Sequence, residues 1–161
     1  MGPSYLTCTN LAPSGNWVTV IATQPKSSGK NYAEFVVDQI GASGVALGLF
    51  KAGGILNDFI GDTGNGWGIS KDGTVFAGSG GTPTNGSAFT TGDVIGMAVD
   101  YAGGTIAFTK NNSANGGVTG ITFSTAIYLA TSAINLPEII TLQTTAADCT
   151  YSPPATFSNW N

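Results

Sequence analysis

The strongest constraint in this chain is the spacing of its apolar residues, which recurs at every second position in short runs and nowhere with a helical period. Residues 17–21, 32–38, 44–50, 68–70, 74–77, 94–100, 105–109, 127–131 and 138–143 are β-branched or aromatic runs of this kind, each fenced by Gly, Ser, Pro or Asn. A period of two sends alternate side chains to opposite faces of a strand, so each run can bury one face against a partner sheet. The pattern predicts about nine short strands and no amphipathic helix. Many short strands without helices leave a sandwich or a barrel. Lys71-Asp72-Gly73 and Ala102-Gly103-Gly104 each join two runs and supply residues that accept positive φ, as tight hairpins require.

With 161 residues, 42% of them apolar, and no shift of composition along its length, the chain predicts one domain over 1–161 with a buried core. Only 9% of residues are charged, and five Lys face nine carboxylates for a net charge of −4. Without Arg or a basic field, nucleic acid is not an expected partner. Without His, the commonest general base and metal ligand is missing. No run approaches the ~20 apolar residues of a membrane-spanning helix. The segment after Met1 lacks the basic start and apolar stretch of a secretion signal, so neither export nor membrane insertion is expected. Cys8 and Cys149 lie near opposite ends, and a bridge would need both end segments side by side. Bridging stays open, with two buried thiols as the plainer expectation.

The remaining polar groups do not assemble into chemistry. Glu34 and Asp38 share a strand face but stand about 13 Å apart, too far for a retaining carboxylate pair. Ser70-Lys71 would project to opposite faces, and neither Cys has an activating His. Asp58, Asp62 and Asn65 form one oxygen-rich loop without the alternating ligands of a calcium loop, and an ordinary Asx turn accounts for them. No phosphate-cradling glycine motif occurs, so no cofactor and no metal are expected. Asn85-Gly86-Ser87 and Asn111-Asn112-Ser113 match glycosylation acceptors, which have no meaning without export. Trp67, Tyr32, Phe35, Phe50 and Phe108 read as inward packing, and Asp93 as an acceptor of backbone N–H bonds in a turn. Long polar loops at 51–66 and 78–92, with a turn at 111–117, are the expected contact surfaces. The candidate binding residues are Leu56, Asn57, Asp58, Phe59, Thr84, Asn85, Phe89, Tyr101, Asn111 and Asn112.

Four blocks in order resemble the SPRY-domain family. Lys26-Ser27-Ser28-Gly29-Lys30-Asn31-Tyr32-Ala33-Glu34-Phe35 is similar to its opening turn and strand, and Gly44-Val45-Ala46-Leu47-Gly48-Leu49 to its Gly-rich strand. Gly66-Trp67-Gly68-Ile69-Ser70-Lys71-Asp72-Gly73 resembles its Gly-Trp-Gly hairpin. The fullest likeness is Gly92-Asp93-Val94-Ile95-Gly96-Met97-Ala98-Val99-Asp100 followed by Gly104-Thr105-Ile106-Ala107-Phe108-Thr109-Lys110-Asn111. Ala33 departs from the family's second aromatic, and the loop after Phe50 lacks its common basic residues. The tail Tyr151-Ser152-Pro153-Pro154-Ala155-Thr156-Phe157 resembles the ending of SPRY-like modules in bacteriophage proteins, with Thr156 in place of a Gly.

The resemblance implies an all-β, non-enzymatic SPRY-like sandwich of two antiparallel sheets. It further implies a virion accessory protein, a capsid decoration or tail component assembled in the host cytoplasm, with other virion proteins or a second copy of itself as partners. Residues 1–13 and 151–161 are then expected to be anchoring termini, not needed for the sandwich. A receptor module of a tail fibre is the first alternative, reading host-surface glycans with Phe59, Phe89, Tyr101 or Trp160 as the sugar platform. A cellular adaptor that binds peptides is the second.

Overall fold

The alternating runs pair with one another in a computed structural model that describes residues 6–10 (backbone only), 15–41, 44–62, 64–134 and 138–161. The strands are β1 (Leu6–Asn10), β2 (Val18–Ile21), β3 (Lys30–Gln39), β4 (Val45–Lys51), β5 (Gly66–Ser70), β6 (Val75–Ala77) and β7 (Thr82–Thr84). They continue with β8 (Val94–Asp100), β9 (Thr105–Lys110), β10 (Ser113–Thr119), β11 (Ile127–Ala133), β12 (Glu138–Gln143) and β13 (Ser158–Asn159). Two sheets form, an eight-stranded one in the order β1-β12-β3-β8-β9-β10-β7, with β13 beside β3, and a five-stranded one in the order β2-β11-β4-β5-β6. Pairing is antiparallel except where β13 joins β3. No helix among the described residues is long and apolar enough to cross a membrane.

The core lies between the sheets and follows the predicted alternation. Ala33, Phe35 and Val37 of β3, Ile95, Met97 and Val99 of β8, and Ile106 and Phe108 of β9 face Leu47, Leu49, Trp67, Ile69 and Leu129 of the other sheet, all of them buried. Each of the larger side chains among these contributes about 1.5–3 kcal/mol of burial free energy against the unfolded chain. Trp67 is a core residue whose Nε1 donates to the Gly80 carbonyl at 2.7 Å. Tyr32 and Phe50, expected to face inward, are buried on the outer faces instead, because irregular segments cover both sheets. The two hairpins expected at 71–73 and 102–104 are present, with Gly73 at φ +88° and Gly104 at φ +62°.

Four strands escape the period-two reading. β7 is the edge tripeptide Thr-Pro-Thr, wholly exposed, where Pro83 has no N–H to offer a further strand. β10 occupies most of the expected 111–117 turn. Only Asn111 and Asn112, both at positive φ, form that turn, and a bulge between Ala114 and Gly117 interrupts the alternation that would betray a strand. The end segments expected to stand apart carry β1, paired along β12, and β13, paired with β3.

Candidate functional site

The outer face of the five-stranded sheet is floored by small residues: Ala46 and Gly48 on β4, Gly66 and Gly68 on β5, Ala130 and Ser132 on β11. The loop after β4 reaches this floor through Ile60. Ile60 is fully buried there, and a Cβ on Gly68 would come within 3.1 Å of its Cγ2, so glycine makes the close approach. The loop is then fixed by a chain of directed hydrogen bonds. Thr19 Oγ1 donates to the Asp58 carbonyl at 2.6 Å, which commits its only proton. Ser132 Oγ must therefore donate to Thr19 Oγ1 at 2.5 Å, and it accepts the Ile60 N–H at 3.0 Å. Asn65 is buried and ties the loop to itself, accepting the Ile55 N–H at 3.0 Å and donating to the Phe59 carbonyl at 3.1 Å. The Thr19 N–H reaches the Leu56 carbonyl at 2.8 Å, so the loop also covers the free edge of β2.

What this held loop presents is apolar. Ile55 is 59% exposed and Leu56 45%, and with Val20 they are the large apolar side chains left exposed among the described residues. Beside them is a hollow of about 210 Å³ lined by Ile21, Phe50, Gly54, Leu56 and Tyr128. Gly54 passes over the Phe50 ring, which a Cβ would approach to 2.6 Å. Next to the loop runs a strip of half-buried rings, Trp17 against Phe59 at 4.6 Å and Phe59 against Phe76 at 4.7 Å. A larger apolar cleft of about 280 Å³ opens between the sheets, lined by Val20, Phe35, Leu129, Ile140 and Leu142. It adjoins β12, whose neighbour β1 has side chains outside the described residues.

The structure gathers part of the expected contact set and disperses the rest. Leu56, Asn57, Asp58 and Phe59 belong to the held loop, with Asp58 Oδ1 accepting the Phe59 N–H at 2.7 Å. Thr84 ends the edge strand β7, and Asn85 accepts the Val75 N–H at 2.9 Å, which fastens the turn after β7 to the second sheet. Asn111 and Asn112 form the β9–β10 turn, where Asn111 accepts the Val94 N–H at 2.9 Å and donates to Asp93 at 2.7 Å. Asp93 also accepts the Thr90 N–H at 2.8 Å, as its position before a strand implied. Tyr101 sits at the opposite end of β9, stacked on Phe123 at 4.8 Å with its hydroxyl on the Thr125 carbonyl. Phe89, expected on the loop surface, is a core residue, because an apolar ring in a polar loop is drawn into the sandwich. Trp160, suggested as a sugar platform, is buried in the same core and donates through Nε1 to the Gln24 carbonyl at 3.1 Å. Asn65 and Asp58 spend their oxygens on the loop itself, and no three metal-ligating side chains converge among the described residues.

Sequence reasoning weighed Glu34 only as a catalyst, yet it organises the other outer face. Its fully buried carboxylate accepts the Thr150 N–H at 2.7 Å, the Tyr151 N–H at 2.9 Å and the Tyr32 hydroxyl at 2.8 Å. Burial, reinforced by this bond, raises the Tyr32 pKa, so the phenol stays a donor. Nearby Cys149 is a free, half-buried thiol pushed up to about 11, first by burial and then by the Glu34 charge, which keeps it protonated and a poor nucleophile at neutral pH. A carboxylate in the middle of an otherwise apolar strand was the available signal. On the surface, Asp72 is held below the usual carboxylate range chiefly by the Ser70 hydroxyl, and Asp100 chiefly by the Gly103 N–H, with Lys30 at 3.0 Å. These are turn devices rather than reactive groups.

The SPRY-domain family model matches residues 30–135. Among solved structures, the chain is similar to the SPRY domain of human HERC1, with a TM-score of 0.73 and 19% identity over 91% of this chain and 90% of that one. A second human SPRY domain superposes with a TM-score of 0.69 and 23% identity over 85% of this chain and 90% of that one. At these identities the likeness carries the fold alone. No curated protein sequence matches the chain.

Proposed function

This chain belongs to the SPRY domain family, and on that premise we propose that it is a protein-binding module whose contact surface is the outer face of its five-stranded sheet, centred on Ile55 and Leu56. Domains of the family are generally non-enzymatic binding modules, and the lack of His and the inward commitment of Glu34 and Cys149 agree with that role. The observation that carries the proposal is the contrast within one loop. Asp58, Ile60 and Asn65 are tied down by hydrogen bonds to the sheet and within the loop, while Ile55 and Leu56 project two branched apolar side chains into solvent. An apolar anchor on a pre-fixed loop loses little conformational entropy on binding, the economy that interface hot spots exploit.

Among the three settings the sequence suggests, a protein partner fits better than a host glycan. Phe89 and Trp160 are buried, and the rings of Phe59 and Tyr101 already pack on neighbours. The virion setting rests on the tail motif and composition, and the tail is folded back on the domain through Glu34 and Trp160 rather than held out as an anchor. An adaptor that docks a partner protein is therefore the reading we favour. The test is affinity capture from source lysate by the wild type and by an Ile55→Ser/Leu56→Ser variant of unchanged melting temperature. Partners held by the wild type and lost by the variant support the surface, whereas equal retention by both removes it. Sedimentation of the same lysate separates the settings, since migration with large particles at many copies restores the virion reading.

A further inference from the structure

We propose that Glu138 is a proton-controlled lock on one end of the sandwich, closing the margin where β12 begins when it is neutral and loosening it when it is ionised. Glu138 occupies the same face of β12 as Ile140 and Leu142, which belong to the inter-sheet core, so its side chain enters the sandwich at its end. It is 2% exposed, and neither carboxylate oxygen has a hydrogen-bond partner of good geometry. Buried acids are rarely left this way, because an unpartnered charge forfeits its hydration for nothing.

The charged groups around Glu138 explain why ionisation is a live choice. From the β5–β6 turn, Lys71 reaches across to the first sheet, where its ammonium donates to the Gly41 carbonyl at 2.9 Å. Asp72 in the same turn is exposed and bound to Ser70 and to the Thr74 N–H. At the end of β3, Asp38 is exposed, standing at the bulge opposite Ile139 and Ile140. Opposite Glu138 on β1 is Asn10, which carries no charge. Burial lifts the Glu138 pKa from 4.5 to about 6, outweighing the nearby Gly41 amide and then the Lys71 charge, which both favour the ionised carboxylate. A carboxyl raised by folding stabilises the closed end fully below its unfolded value, and that contribution is lost as pH climbs through the folded one. An ionised Glu138 puts a desolvated charge between the sheets, near the Lys71–Gly41 contact, so this end of the sandwich is the part that yields.

The test is hydrogen exchange at the amides of 139–142, corrected for intrinsic rates, together with carbon NMR titration of the Glu138 carboxyl in the full chain. From about pH 4 to about pH 8, protection in the wild type should fall by up to about thirtyfold, the factor that corresponds to a rise of 4.5 to about 6. Glu138→Gln should flatten that dependence, and Lys71→Met should move the titration upward. Equal pH dependence in the wild type and Glu138→Gln overturns the proposal. So does a carboxyl that titrates at the ordinary value for glutamate, a result readable in the wild type even where the variants fail to fold.

Discussion

Both sheets carry an irregular cover on their outer faces, and the two covers are held by opposite means. On the eight-stranded sheet, residues 144–161 close over Tyr32 and Glu34 through a buried carboxylate that collects three donors, and Trp160 fills the core with its indole. On the five-stranded sheet, the loop after β4 lies on small side chains through one buried isoleucine and a relay of hydroxyls. A buried charge commits everything around it, since each partner left unmade costs the full desolvation of a polar group. A loop laid on glycine, alanine and serine commits only where it touches and can keep its tip free. The comparison teaches why the first cover is framework and the second offers a surface.

The largest way to break that contrast is Trp160→Ala, which should cost about 3–5 kcal/mol by cavity formation and lower the thermal midpoint of the whole domain. Ile60→Ala should cost about 2–4 kcal/mol, with limited proteolysis showing first cleavage within 51–65 while the sandwich persists. Glu34→Gln should cost about 1–3 kcal/mol, because the amide nitrogen replaces one acceptor oxygen and faces the Thr150 or the Tyr151 N–H, and hydrogen exchange should report the loss at one of those two amides. The smallest effect belongs to Ile55→Ser with Leu56→Ser, within about 0.5 kcal/mol in chemical denaturation, since both side chains are already in water. A large loss from that last pair would mean that the second cover is framework too.

How far the sequence reveals these covers depends on whether a residue's role is local. The alternation in β3, β4, β8 and β9 announces itself because each run meets a sheet partner on one face only. Asn111-Asn112 and Gly73 are likewise legible, as backbone conformation is a local demand. The roles of Glu34 and Trp160 are not, for partners that fix them lie 116 and 136 residues away, and the apolar strand around Glu34 hints at its burial without naming what it binds. Ser132 and Thr19, which hold the loop across 113 residues, are invisible for the same reason. Of the candidate surface, the loop containing Leu56 was legible from length and composition. The exposure of Ile55 beside it, and the burial of Phe89, were decided by packing that a single strand of text does not record.

The pairing of β3 has a consequence for how the molecule is made. This central strand is made before β12 and β13, and one of its edges waits for them across about a hundred residues. Closing so long a loop delays the sheet's nucleus, and contacts this remote are associated with slow folding. Until β12 and β13 arrive, β3 offers an unmatched backbone edge to any other chain, and the nascent protein is at its most vulnerable to aggregation in that interval.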